Sequence, residues 1–123
     1  MPRPLLDDAH THPAIRNAIA THQQAIVREV RAAIAAHAVV VVGMGMNPFP
    51  KKARKALDAA GVAHHDLDYG NYFSQWRERN ALKMWTGWPT LPMVFVCGTL
   101  VGGANDLNKL MASGELQAML ANA

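Results

Sequence analysis

Five consecutive residues, Ala38 to Val42, limit what this chain can fold into more than any other stretch. The run AVVVV is almost wholly β-branched and lacks the polar alternation of a strand with one wet face. It predicts a central strand covered on both sides, as in a parallel sheet. The rest of the chain must then supply two layers of cover.

The sequence on either side supplies them. After the strand, a short GMGM loop leads to Asn47, and Pro48-Phe49-Pro50 opens a helix running to about Ala60. Asparagine is a favoured N-cap and proline a favoured first helical residue, while a proline at the third position still falls among N–H groups that need no helical partner. Gly61 then ends the helix as a C-terminal glycine does. Upstream, Ile15, Ala18, Ile19, Ile26, Val30, Ala33 and Ile34 recur at threes and fours, which predicts one amphipathic helix over Ala14 to His37. Residues 1 to about 12, with Pro2 and Pro4 along them and Pro13 just after, read as a loose arm. The division expected is an N-terminal extension over 1–20 and a domain over 21–123.

Downstream, Val62 to Tyr69 reads as a second strand, less apolar and so at an edge, and Gly70-Asn71 turns the chain. A helix follows from about Tyr72 to Thr86, with Phe73, Trp76, Ala81, Leu82 and Trp85 expected in the core and Gly87 closing it. MVFV at 93–96 and TLV at 99–101 flank Cys97-Gly98, a connection of hairpin length. Asn105 is expected to cap a helix through Met111, and Glu115 to Leu120 to add a last turn or two. The order α, β-α-β, α, β-β-α predicts an α/β fold with a central four-stranded mixed sheet flanked by helices.

Composition excludes several functions. A 123-residue chain that is 50% hydrophobic and 17% charged suits one globular domain. The single cysteine, Cys97, rules out an internal disulfide, a CxxC pair or a cysteine-rich zinc site within one chain. No run of eighteen apolar residues and no basic-then-apolar start is present, so a cytoplasmic protein with no membrane contact is expected. The net charge of +3 draws on Lys51, Lys52, Arg54 and Lys55, a cluster suited to an acidic protein, a small anion or plain solvation. Without a helix-turn-helix or zinc-finger pattern beside it, no nucleic acid is expected. Two His/Asp groups invite a metal reading: Asp7, Asp8, His10 and His12, and His64, His65, Asp66 and Asp68. Neighbouring strand residues point to opposite faces, which dilutes the second group, and no metal is expected.

Four motifs in order carry a family resemblance: Arg-x-x-Leu-Lys at 79–83, Trp88-Pro89-Thr90-Leu91-Pro92, Val101-Gly102-Gly103, and Ser113-Gly114-Glu115-Leu116. Together the stretch resembles monothiol glutaredoxins, and the likeness runs over roughly residues 24–120. It implies the thioredoxin fold, a family tied to cell redox homeostasis, and glutathione as ligand. Leu91-Pro92 is the candidate cis peptide, and the resemblance implies that Leu91 pairs its backbone with glutathione or another extended peptide. Thr90, Pro92 and the corner Gly103, Ala104, Asn105 and Asp106 would complete that groove, with free N–H groups at a helix start facing a carboxylate. Asn105 stands where the family usually has aspartate, and Asp106 is expected to compensate in part. Arg79 would grip the glycyl carboxylate, and Lys51 and Lys52 are further anion contacts. Met44 replaces a family lysine.

The reactive loop departs most. Where dithiol relatives carry Cys-Pro-Tyr/Phe-Cys and monothiol ones Cys-Gly-Phe-Ser, this chain reads Asn47-Pro48-Phe49-Pro50. The family cysteine is a nucleophile and a cluster ligand as a thiolate, and an amide is neither. No catalytic residue and no iron–sulfur cluster are therefore expected, and the active site reads as degenerate. Cys97 lies five residues beyond Pro92, roughly 17 Å at about 3.3 Å per strand residue, too far to stand in. The expectation is a redox-inactive protein whose groove binds glutathione, a peptide or a protein. The alternatives left open are a weak glutathione-dependent oxidoreductase or transferase, and an accessory iron–sulfur role with a BolA-like or other acidic partner.

Overall fold

The valine run forms strand β1 (Val39–Gly43), buried along its whole length. A computed structural model describes residues 4, 6–21, 24–71 and 73–122. Strand β1 pairs in parallel with β2 (His65–Asp68) and antiparallel with β3 (Met93–Val96), which turns back into β4 (Thr99–Gly102). The sheet order is β2-β1-β3-β4, so β1 is internal and the less apolar β2 lies at an edge, as the sequence predicts.

Because successive strand residues face opposite ways, the four valines divide between two cores. Val40 and Val42 pack with Ile26 and Val30 of α2 (Gln24–Ala36), Leu82 of α4 (Trp76–Thr86), and Met93 and Phe95 of β3. Val39 and Val41 face Ala53 and Leu57 of α3 (Pro48–Ala59), Leu107 of α5 (Ala104–Ser113) and Leu116 of α6 (Glu115–Ala121). Two covered faces explain why β1 tolerates no polar residue.

The structure corrects three sequence expectations. The predicted helix over 14–37 is two helices, α1 (Pro13–Thr21) and α2. Among the residues whose burial is described, those reaching the core lie on α2, and Ile15 on α1 stays exposed, because a spacing of threes and fours shows that a helix has an apolar side without saying what covers it. Helix α4 begins at Trp76 rather than near Tyr72, which lies outside the described residues. Asn71 Oδ1 accepts the Phe73 N–H at 2.8 Å and Gln75 takes a left-handed φ of 53°, so the chain turns before the helix starts. As a result Phe73 and Trp76 face solvent and Trp85 is half-exposed, while Ala81 and Leu82 are buried as expected. The N-cap of α5 is Gly103, not Asn105: the Asp106 carboxylate accepts the Gly103 N–H at 3.0 Å from the third helical position. Among the described residues no helix is long and apolar enough to cross a membrane.

Candidate functional site

Three chain segments converge beyond the carboxyl end of β1: the loop into α3, the Trp88–Pro92 turn, and the β4–α5 corner. They enclose a groove of about 520 Å³.

Gly43 sets the first segment. A Cβ there would lie 2.7 Å from Pro50 Cβ, so only glycine lets the first turn of α3 come this close to β1. Asn47 then caps α3, its Oδ1 accepting the Phe49 N–H at 3.0 Å. The other end of the same amide crosses the groove, and Nδ2 donates to the Leu91 carbonyl at 3.4 Å. One side chain thus caps the helix and touches the turn on the far wall.

The second segment contains the cis Leu91–Pro92 peptide. Thr86 Oγ1 accepts the Trp88 N–H at 3.1 Å and donates to the Leu82 carbonyl at 2.8 Å, which ties the turn to the end of α4. Trp88 packs against the core, and its indole N–H is a buried donor with no acceptor among the described residues. In the third segment Gly102 adopts φ 117°, and a Cβ on it would meet the Asp106 carboxylate at 2.6 Å. That carboxylate in turn holds the Gly103 N–H.

Of the residues predicted from sequence, Asn47, Thr90, Leu91, Pro92, Gly103, Ala104, Asn105 and Asp106 all line the groove. Arg79 does not. It is buried, and its Nη1 donates to the carbonyls of Tyr69, at 2.9 Å, and Ser74. The expected carboxylate clamp is instead a brace for the 69–75 loop, and Lys83, one turn further along α4, lines the groove. Lys51 and Lys52 are exposed but stand outside the lining, with Lys52 Nζ 5.1 Å from the centre of the Phe49 ring. Met44 is buried at the groove wall. Lys83 and Trp88 both lie within motifs visible in the sequence, although the sequence alone gave neither a role.

The outer side of α3 is tied to β2 by charge. Arg54 forms a two-pronged pair with Asp68, Nη2 to Oδ1 at 2.7 Å and Nη1 to Oδ2 at 3.2 Å, with Asp66 3.4 Å from its Nε. Burial works to lower the Arg54 pKa, yet the hydrogen bond and charge of Asp68 together raise it. The basic cluster is therefore not one free patch. His64 lies between Asp58, 2.8 Å from Nε2, and Asp66, 2.6 Å from Nδ1. Burial alone would lower its pKa, but the bonds to Asp58 and Asp66 outweigh that and hold it above 6.5. On the opposite flank Tyr69 donates to Glu29 at 2.6 Å, and burial first, then that carboxylate, push its pKa up. His65 stacks on His37 at 4.1 Å. Among the described residues no three His, Cys, Asp or Glu side chains gather as a metal-binding group.

The family model for glutaredoxins matches residues 39–101, from the first residue of β1 through most of β4. The chain belongs to the glutaredoxin family. A glutaredoxin-like protein of Dictyostelium discoideum is 45% identical over 102 residues, spanning 83% of each chain. A probable monothiol glutaredoxin of Legionella pneumophila is 32% identical over 75 residues, 61% of this chain and 81% of that one. The fold matches the buckwheat glutaredoxin–glutathione complex with a TM-score of 0.71 at 20% identity, over 82% of this chain and 92% of that one. Both the family resemblance and the thioredoxin-like fold read from the sequence are thus established for this glutaredoxin.

Proposed function

We propose that this glutaredoxin binds glutathione or an extended peptide in the Asn47–Leu91–Gly103 groove without thiol-disulfide exchange. The observation that carries the reading is the bonding of Asn47. It stands where the family resemblance places the reactive cysteine, and both ends of its amide are engaged in structure, one capping α3 and one on Leu91. An amide there can orient and hold; it cannot form a mixed disulfide.

The remaining walls suit a peptide. Leu91 offers its N–H, and a carbonyl has two acceptor sites, so the Asn47 contact leaves one for a ligand N–H. The start of α5 offers N–H groups at Ala104 and Asn105 to a carboxylate, supported by the helix dipole. Asp106 uses Oδ2 on Gly103, leaving its charge to meet an ammonium. Lys83 is the cation that lines the groove for a second carboxylate, in the role expected of Arg79. The buckwheat relative that matches this fold was solved as a glutathione complex, which supports the choice of ligand.

An iron–sulfur cluster does not fit these residues. Cluster iron takes thiolate ligands, the groove supplies none, and Cys97 sits in the β3–β4 turn with its Sγ on the Met119 carbonyl at 3.6 Å. A protein partner with acidic groups, whether BolA-like or not, would find exposed Lys51 and Lys52 beside the groove.

The test is a mixed-disulfide reductase assay on the native chain, on Cys97→Ala and on Asn47→Cys. The native chain and Cys97→Ala should both read background, and Asn47→Cys should gain glutathione-dependent activity at least tenfold above it. Turnover by the native chain that vanishes in Cys97→Ala would overturn the non-redox reading. A folded but inert Asn47→Cys would show that the groove no longer presents glutathione to this position.

A further inference from the structure

A second cavity, of about 810 Å³, lies where the ends of α2 and α4 meet the β3–β4 hairpin. It shares no lining residue with the groove. Ile34, Trp85, Phe95 and Leu100 give it apolar walls. Trp85 stays 40% exposed there, its ring stacked on Phe95 with centroids 6.3 Å apart and 28° between planes. A large indole left half-exposed over a concave wall is a surface that a flat apolar body would cover.

Charge at this cleft has one sign. No Asp or Glu lines it, while Arg31 does, and Arg31 has no carboxylate partner among the described residues. The carbonyl end of α2 carries partial negative charge, which would oppose an anion at Ala36. Arg31 lies five residues earlier, about 7.5 Å back along the axis, so a carboxylate on its guanidinium clears that end.

We propose that this cleft is a second ligand site, taking a planar aromatic carboxylate with its ring on Trp85 and Ile34 and its anionic group on Arg31. The volume falls in the range of small-molecule sites, roughly 300–1,000 Å³. A two-ring acid would bind with a Kd on the order of a millimolar or tighter, given the energy available per ligand atom. The site stands apart from the glutathione groove, and its failure would leave that reading untouched.

The probe is 2-naphthoate, titrated into the full chain beside its neutral carboxamide and 2-naphthylmethylammonium. Cys97 lines the cleft and is the sole thiol, so its alkylation rate reports occupancy without background. Naphthoate should move the Trp85 indole and the Gly98 and Leu100 amide resonances and slow alkylation of Cys97 severalfold. The carboxamide should bind more weakly and the ammonium weakest. Arg31→Gln should keep the native spectrum and weaken naphthoate about tenfold, the scale of a charge-assisted pair. Absence of these shifts at millimolar naphthoate, equal binding of acid and amide, or shifts confined to Leu91 and Gly103 would each overturn the proposal. Glutathione titration of Arg31→Gln, expected to match the native chain, keeps the two sites distinguishable.

Discussion

The two walls of the groove are built on different terms. On the α5 wall, backbone groups do the presenting: Gly102 takes a left-handed φ, Asp106 fixes the Gly103 N–H, and the helix start faces the cavity. On the α3 wall, one side chain governs the site, and that side chain is an amide. The first wall depends on backbone shape and can keep its shape while side chains vary. The second depends on a functional group, so a single replacement removes chemistry and leaves architecture. If the groove binds as proposed, binding and catalysis are separable wall by wall.

The sharpest way to break that contrast is at the backbone wall. Gly102→Ala forces a Cβ onto a φ of 117° and into the Asp106 carboxylate. It should cost about 1–3 kcal/mol of stability, the scale of a strained left-handed residue, read as a lower melting temperature, and should abolish glutathione binding. A stable, binding-competent variant would show that the corner's shape is not what presents the ligand. On the other wall, Asn47→Ala removes the cap on Phe49 and should cost about 1 kcal/mol. It also frees the Leu91 carbonyl, so glutathione affinity should hold or rise; a clear loss would mean that the Asn47 amide itself grips the ligand.

The smallest effect concerns the support behind α3. His64 is held charged by Asp58 and Asp66, with its folded pKa above the unfolded 6.5. Its contribution is therefore complete below pH 6.5 and is lost as the pH rises through the folded value. Urea unfolding across that range should show a native stability that falls with pH, and His64→Gln should flatten the slope. An identical slope in both proteins would remove His64 from the support of this wall.

Much of this was legible in the chain. The valine run could only be central, and Asn47 before proline announces the cap of α3, whereas the close approach of Pro50 to Gly43 shows only in the structure. The turn residues likewise placed the hairpin and the Leu91–Pro92 bend. Legibility failed where a side chain's fate depends on distant backbone. Arg79 and Lys83 are four residues apart on one helix face, and periodicity offers either to the groove. The carbonyls of Tyr69 and Ser74 take Arg79, and that is written in the path of the 69–75 loop rather than in the helix. The aromatic residues misled for the same reason: once the chain turns at Asn71 and Gln75, α4 starts later and presents Phe73 and Trp76 to solvent. The early helix split into α1 and α2 because an apolar stripe does not say which part of it finds a sheet.

Whether the groove binds without thiol chemistry is decided by titrating the native chain with glutathione and following backbone amide resonances. Saturable shifts are expected at Leu91, Gly103 and Ala104 at millimolar ligand, unchanged in Cys97→Ala and with no mixed disulfide by mass. Spectra in which those resonances do not move would contradict it.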